Sequence, residues 1–195
     1  MIEAIKYNLR NLTNFNGRDA RPTFWWYVLF LVVAQYLVSL VATVPMMVGA
    51  MSGAFEAAQA GVDGQQVEAQ MMAQMAESMR MVMWVGVVIG IISAAMILAS
   101  FVRRLHDSGK SGYWAIIPML TQAASMVFSI RMMDMIGELF TTAYDPAQMQ
   151  QFQNEMMWQS GGFVGWIGYL FVIVMGVLAS DEGPNKYGEE PVRFS

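Results

Sequence analysis

The sequence predicts an all-α integral membrane protein: a bundle of four transmembrane helices in two hairpins, with an extracytoplasmic cap of amphipathic helices and a short N-terminal interfacial helix. Two observations predict this class. Of the 195 residues, 56% are hydrophobic and 13% are charged, whereas an average soluble domain is about 25% charged. In addition, every charged residue lies outside four long stretches, which cover residues 22–55, 81–102, 111–130 and 156–180.

Each stretch is long enough to cross a membrane, since the four contain 34, 22, 20 and 25 residues. A helix rises about 1.5 Å per residue, so about 20 apolar residues cross a hydrocarbon core of about 30 Å. We therefore expect one membrane domain over residues 1–195, with spans at approximately 24–49, 82–102, 112–130 and 162–180. The external connections are then residues 50–81 and 131–161.

The basic residues predict the orientation of these spans. Nine of the eleven lysine and arginine residues lie before the first span, between the second and third, or after the fourth. Only Arg80 and Arg131 lie in the other two connections. Because positive charge near span ends is retained in the cytoplasm, we expect both termini to be cytoplasmic.

The external connections and the N terminus carry amphipathic patterns. Residues 67–79 keep an apolar stripe at i, i+4 spacing that enters the second span without a helix breaker. Asp145 and Pro146 suit the start of a further helix. The second helix is therefore expected to extend past the membrane and to contribute to an external cap. Near the N terminus, the apolar residues of segment 2–12 share one helical face, which is typical of a helix lying on the membrane surface.

Small residues and proline predict how the spans pack. Gly86 and Gly90 in the second span, and Gly161 and Gly165 at the start of the fourth, have the spacing that lets helix backbones approach closely. Pro118 is expected to kink the third helix, because proline removes one backbone donor and crowds the preceding turn.

Three polar clusters, at residues 16–21, 103–112 and 181–188, adjoin the predicted cytoplasmic ends of the spans, so the fold should bring them together. They predict a site for an anion or a protein partner. Its candidate residues are Arg18, Arg21, Arg103, Arg104, Asp107, Lys110, Ser111, Asp181, Glu182 and Asn185. The alternative is that these arginines fix topology and snorkel to the interface while the neighbouring tryptophans form an aromatic belt.

Two details favour a site. Asp181 and Glu182 follow the fourth helix, where the helix dipole disfavours anions, so arginine side chains should compensate them. The glycine-containing turn at 107–112 precedes the third helix, and its amides could cradle an anion such as a lipid phosphate. It is not a nucleotide P-loop, since Arg104 stands where that motif needs glycine.

Other chemistries have weaker signals. His106 is the only histidine and no cysteine is present, so no metal set or catalytic nucleophile is placed by spacing, and we predict no enzyme, metal or cofactor. The 20 methionines leave soft-metal binding by the external cap as a lesser alternative. A net charge of −4 gives no general attraction to nucleic acid.

The motifs resemble a known family. They are FNGR at 15–18 with FWW at 24–26, RRLHDSGKSGYW at 103–114, and GPNKYG at 183–188. These are similar to small bacterial inner-membrane proteins grouped as domain of unknown function 805. The resemblance implies a multi-span bacterial plasma-membrane protein, and it supplies no catalytic residues.

We therefore expect a non-enzymatic membrane protein whose basic cytoplasmic face contacts lipid, including anionic headgroups, or a membrane-protein partner, including a second copy. The alternative is a transporter or channel subunit for a small solute. Gln35 and Gln122 would then matter most, because they are the deepest strongly polar side chains of the predicted spans.

Overall fold

The structure, a computed structural model, describes residues 1–60, 64–142, 150 and 162–191, with backbone only at 46, 50, 54, 56–60, 64–76, 134–142 and 162–163. The helices are α1 (Ile2–Arg10), α2 (Arg21–Ala60), α3 (Gly64–Asp107), a 3-10 helix (Gly112–Ala115), α4 (Ile116–Thr142) and α5 (Gly162–Val177). Over these residues there is no β-strand, only one isolated bridge between Asn185 and Gly188. The predicted all-α class is confirmed.

Three helical segments are long and apolar enough to cross a membrane: Arg21–Gly53, Glu77–Asp107 and Gly112–Met133. The prediction of a membrane protein is thereby supported. The apolar part of α5, Val164–Val177, is shorter. Residues 151–161, which precede α5 and belong to the predicted fourth stretch, lie outside the described residues.

Helices continue into the predicted external connections, as the sequence predicts for the helix of the second span. Helix α2 continues to Ala60 and α3 already begins at Gly64, so most of segment 50–81 is helical. Helix α4 likewise continues to Thr142. For α3 the physical reason is that no helix breaker interrupts residues 67–81, whereas α2 continues beyond Pro45. The further helix predicted from Asp145 lies outside the described residues, as do the side chains of the methionine-rich segment 64–76.

The chain divides into two compact units. The first contains Met1–Gln35, Ile89–Ser125 and Gly162–Ser195. Its core is formed by buried residues of α2, α3 and the 3-10 helix, which are Phe24, Phe101, Val102, Leu105 and Ala115. Aromatic rings from α5 and α2 complete this core: Phe171 meets Phe101 edge to face at 6.4 Å, and Trp25 meets Phe24 at 5.4 Å. The core fixes the ends of the helices that carry the polar clusters.

The second unit contains Tyr36–Val88 and Met126–Gly161. Its part of α2 includes Pro45 inside the helix. Large apolar side chains point outward along this part of α2, among them Leu37, Val41, Met47 and Met51. A soluble protein rarely exposes so continuous an apolar surface, whereas hydrocarbon accepts it.

Helix α1 has the amphipathic character expected of an interfacial helix, but its buried face is partly polar. Ala4 and Asn8 are buried, whereas Ile2 is 60% and Leu9 39% exposed. The Asn8 amide donates to the Ala4 carbonyl at 3.0 Å. The apolar side chains are therefore free to contact lipid, while Asn8 faces the protein.

Proline and glycine act at positions that differ from the predicted ones. Pro118 is the third residue of α4, directly after the 3-10 helix, so it begins a helix instead of kinking one. The first turn of a helix has no internal acceptor for its N–H groups, and proline costs little there. A Cβ built at Gly86 would meet no atom of the described residues within 4 Å, so no close approach is seen there. At Gly165 a Cβ would lie 2.6 Å from Ser125 Oγ, as close approach requires, and Gly161 lies outside the described residues.

Candidate functional site: a buried arginine cluster

Three chain segments meet at one end of the first unit, as the sequence predicts. They are the segment between α1 and α2, the last turn of α3 with the turn that follows it, and the segment after α5. Two backbone hydrogen bonds join them: Asp19 N–H donates to the Arg103 carbonyl at 3.1 Å, and Asp181 N–H donates to the Asp107 carbonyl at 2.8 Å. The last turn of α3 is therefore the centre of the site.

Arg103 ties the N-terminal segment to α3. Its Nε donates to Asp19 Oδ1 at 2.9 Å, and Nη2 donates to Asn8 Oδ1 at 2.7 Å. Its Nη1 donates to the carbonyls of Asn11 at 2.9 Å and Asn14 at 2.5 Å. Arg103 is completely buried, so this one side chain connects α1 and the loop after it to the bundle.

Asp107 is the centre of a second group, which ties α3 to the segment after α5. Its carboxylate accepts from Arg18 Nε at 3.1 Å, from Arg104 Nη1 at 2.6 Å and from Ser180 Oγ at 2.5 Å. The side chains of both ion pairs are fully buried. One carboxylate is therefore paired with two guanidinium groups.

Backbone carbonyls satisfy the remaining donors of these arginines. Arg18 donates to the carbonyls of Asp181 and Gly183, both at 2.6 Å. Arg104 donates from Nε to the Gly176 carbonyl at 3.1 Å and from Nη2 to the Leu178 carbonyl. The Gly176 carbonyl lies in the last turn of α5, where helix carbonyls lack internal partners. Arg104 thus caps the end of α5.

Burial perturbs the ionisable groups at the N-terminal side of the cluster. It raises the pKa of the Asp19 carboxyl above its usual range, although hydrogen bonds from Arg103 and from Ser100 Oγ at 2.8 Å oppose the rise. Burial and the nearby charge of Asp19 raise the pKa of the Tyr7 phenol. The Arg103 guanidinium lies 5.5 Å from the centre of the Tyr7 ring. The environment is therefore dehydrated, and the charged form of Asp19 depends on its donors.

The backbone amides of residues 108–110 do not form the anion cradle predicted at residues 107–112. Ser108 N–H and Lys110 N–H donate back to the Leu105 carbonyl, and Gly109 N–H donates to the His106 carbonyl. They satisfy carbonyls in the last turn of α3, as a C-terminal cap does. Ser111 instead begins the 3-10 helix, where its hydroxyl accepts from Tyr113 N–H at 3.4 Å.

The predicted compensation of Asp181 and Glu182 by arginine side chains is also wrong for the described chain. Arg18 reaches the backbone carbonyl of Asp181, and the Asp181 carboxylate accepts from Asn185 Nδ2 at 3.1 Å. Glu182 is exposed. Because α5 ends at Val177, both residues lie beyond its last turn, and the arginines pair with Asp19 and Asp107 instead.

His106 is more than a polar loop residue. It belongs to the last turn of α3, and its ring stacks on Tyr187 with centres 3.9 Å apart. Its Nδ1 lies 3.2 Å from the Gly17 carbonyl, and its own carbonyl accepts from Asn185 Nδ2 at 2.9 Å. His106 therefore links the same three segments as the arginines.

Sequence reasoning missed Asn8, Gly176 and Tyr187. At Gly176 a Cβ would lie 2.8 Å from the Phe24 ring and 2.9 Å from the Trp25 ring. The Gly176 carbonyl also accepts from Trp25 Nε1 at 3.2 Å. Only the tertiary structure reveals these contacts.

Arg21 and Lys110, unlike the other predicted basic residues, are exposed. In the described part of the chain, Arg21 makes no hydrogen bond or ion pair. It lines a pocket of about 400 Å³ together with Ala20, Pro22, Trp25 and Ser180. This pocket lies beside the buried cluster, since Ser180 also donates to Asp107. The structure thus divides the predicted arginines into three that are satisfied internally and one that is accessible.

A second cavity, of about 340 Å³, lies among α2, α3, α4 and α5 in the first unit. Gln35 and Gln122, the two deep polar residues of the sequence, both line it. Its other walls are mostly apolar and include Trp25, Val32, Leu98 and Ile173. Among the described residues, no group of three or more histidine, aspartate or glutamate side chains could hold a metal ion.

The fold and this site define an all-helical membrane protein with a buried arginine cluster between helix ends. A model of the family described as protein of unknown function (DUF805) matches residues 12–189. The chain therefore belongs to this family, which confirms the resemblance carried by the three motifs. No curated protein and no solved structure shows a significant match to the chain.

Proposed function

We propose that this chain is a non-enzymatic, four-span protein of the bacterial plasma membrane, with both termini in the cytoplasm, that binds anionic lipid headgroups at its cytoplasmic face. Three apolar helical segments support the first spans. The fourth span rests on the sequence, since residues 156–180, which include α5, contain no charged residue. The surplus of lysine and arginine on one side supports the orientation.

The buried cluster supports different roles for the buried and the exposed basic residues. Arg18, Arg103 and Arg104 already have carboxylate and carbonyl partners. A headgroup could reach them only by breaking these bonds, which leaves buried charges unpaired and is strongly unfavourable. Their role is to hold the loops at the helix ends in place. Lipid binding then falls to the exposed cations.

The pocket at Arg21 carries the proposal. It has a volume of about 400 Å³ and is lined by the exposed Arg21 together with Trp25 and Ser180. Guanidinium groups bind phosphate through paired hydrogen bonds, and tryptophan suits the headgroup region. Tyr113, which is 89% exposed, and Trp114 are further aromatic residues on the first unit that suit contact with the interface.

The test measures retained lipid. Purified protein is equilibrated in nanodiscs with equal amounts of phosphatidylglycerol and phosphatidylcholine, and native mass spectrometry counts the molecules that stay bound. We expect wild type to retain phosphatidylglycerol preferentially and Arg21→Gln to lose at least one such molecule. Arg80→Gln is the matched control, because Arg80 is also exposed but lies on the predicted opposite side. Equal retention by Arg21→Gln and wild type would exclude the headgroup site.

The orientation has an independent test, because the chain contains no cysteine. Single cysteines are introduced at two exposed positions outside the apolar segments, Gln150 and Glu182. A membrane-impermeant maleimide added to intact spheroplasts should label Gln150→Cys and leave Glu182→Cys unlabelled until the cells are opened. Labelling of Glu182→Cys from outside would reverse the proposed topology.

A transporter or channel subunit is the second candidate. The observation that favours it is the cavity of about 340 Å³ that holds Gln35 and Gln122. The test is solute flux into proteoliposomes, with Gln35→Leu and Gln122→Leu expected to reduce it. Equal flux in empty and protein-containing vesicles argues against this candidate.

A further inference from the structure

The cavity that holds Gln35 and Gln122 lies deep in the predicted spans. Gln35 follows Arg21 by 14 residues on α2, and Ser93, which also lines the cavity, precedes Asp107 by 14 residues on α3. At about 1.5 Å per residue, Gln35 lies roughly 21 Å along α2 from Arg21, and Ser93 lies roughly 21 Å along α3 from Asp107. That depth is past the middle of a hydrocarbon core of about 30 Å.

The cavity is open to the outside of the first unit. Val32, Tyr169 and Ile173 line it and are about half exposed. Protein interiors are normally close-packed, with few voids larger than a water molecule. A volume of about 340 Å³ falls instead in the range of ligand sites, which is about 300–1,000 Å³. Because the opening lies on apolar helix surface, whatever fills the cavity enters from the bilayer.

The side chains of Gln35 and Gln122 indicate what kind of molecule the cavity binds. Within the described residues, neither the Gln35 amide nor the Gln122 amide has a hydrogen-bond partner. An amide without a partner is costly in hydrocarbon, where no water can replace it. A pure hydrocarbon chain would leave both amides unsatisfied. A charged headgroup would itself be costly at this depth.

We propose that this cavity binds an uncharged, lipid-soluble molecule that carries carbonyl or hydroxyl oxygens. Its hydrocarbon part contacts the apolar walls, and its oxygens hydrogen-bond with Gln35 and Gln122. Each amide offers both a donor and an acceptor, so it can meet either kind of oxygen. The site is separate from the Arg21 pocket in chemistry and position, although Trp25 lines both. It therefore holds or fails independently of the headgroup proposal.

Three probes in detergent test the inference. Decylubiquinone supplies ring carbonyls, dioctanoylglycerol supplies a hydroxyl and ester carbonyls, and tetradecane supplies hydrocarbon without oxygen. A ligand that binds only the folded protein raises the unfolding midpoint in a saturable way, which yields its Kd. We expect one oxygen-bearing probe to raise the midpoint at concentrations where tetradecane does not. Which of the two does so distinguishes a ring carbonyl compound from an acylglycerol.

Variants connect the effect with the two amides. Gln35→Leu and Gln122→Leu should each weaken binding of the active probe about tenfold, the equivalent of one lost hydrogen bond. Gln150→Leu is the matched control, because Gln150 is exposed and does not line the cavity. Ala94→Phe, which fills the cavity without changing either amide, should abolish binding.

Two results overturn the inference. In the first, tetradecane shifts the midpoint as much as both oxygen-bearing probes, or none of the three shifts it. In the second, Ala94→Phe or both glutamine variants bind the active probe with wild-type affinity. If one leucine variant cannot be purified folded, the other and Ala94→Phe carry the same comparison.

Discussion

Asp107→Asn tests the arginine cluster directly, because it removes one charge and almost preserves the shape of the side chain. The carboxylate lies between Arg18 Nη2 at 3.0 Å and Arg104 Nη1 at 2.6 Å, with both pairs fully buried. Asparagine leaves two buried guanidinium groups without this counterion and turns an amide donor toward one of them. Removing one partner of a buried ion pair costs about 3–5 kcal/mol.

The expected loss is at the lower end, about 3 kcal/mol, because carbonyls continue to hold both arginines. For a chain of this length, 1 kcal/mol corresponds to about 2–4 °C in Tm, so Tm should fall by about 6–12 °C. Thermal unfolding in a mild detergent, followed by tryptophan fluorescence, measures this shift. Glu182→Gln is the matched control, since Glu182 is exposed at the same end of the first unit, and it should stay within about 0.5 kcal/mol of wild type.

A double-mutant cycle with Arg104→Met separates the ion pair from general damage. If the pair is buried as described, the double variant should lose less stability than the sum of the two single variants. A Tm for Asp107→Asn within 2 °C of Glu182→Gln, with additive losses in the cycle, would show that water screens these charges. The assignment of the cluster to the protein interior would then be wrong.

Three further changes test single contacts by the same unfolding measurement. Gly109→Ala should lower the free energy of unfolding by about 1–3 kcal/mol. The reason is that Gly109 has φ +67° and that a Cβ there would lie 2.6 Å from Asp181 Oδ2. Gly86→Ala is the control and should leave stability unchanged, because a Cβ at Gly86 meets open space. Arg103→Lys should destabilise almost as much as Arg103→Met, since one ammonium group cannot serve acceptors from four residues. Asn8→Ala should cost about 1–3 kcal/mol by leaving an Arg103 donor unsatisfied; stability equal to wild type in any of the three would remove the contact concerned.

Much of the architecture follows from the sequence because it depends on long-range composition. Uninterrupted apolar stretches determine where helices can lie in a membrane. The absence of breakers in residues 67–81 lets α3 extend beyond the expected span, and α2 extends beyond its expected end although it contains Pro45. The predicted meeting of the three polar segments follows from the same topology. What remains a prediction is the external cap, since segment 143–161 is described only at residue 150.

The direction of the arginine side chains could not be predicted, because their partners are created by the fold. Arg104 donates to carbonyls of residues 176 and 178, which become available only where α5 ends. Arg103 similarly needs the carbonyls of Asn11 and Asn14, which follow α1. Composition shows that basic residues are present at the span ends, but it does not show which carbonyls lack partners. Which carbonyls lack partners depends on the residue at which each helix ends.

The arginine side chains that point inward stabilise the fold, whereas the proposed binding role belongs to one that points outward. A helix that ends near the headgroup region leaves carbonyls without internal partners, and Arg104 satisfies such a carbonyl at the end of α5. Arg18 binds carbonyls of the segment that follows α5, and the Asp107 carboxylate pairs with both arginines. Arg21 is the first residue of α2, and the backbone groups that lack internal partners at a helix start are N–H donors, not carbonyl acceptors. Its guanidinium therefore has no internal acceptor to hold it, and it stays outside where an anion can reach it. The same residue type thus stabilises the fold at the ends of α3 and α5 and is available for a headgroup at the start of α2.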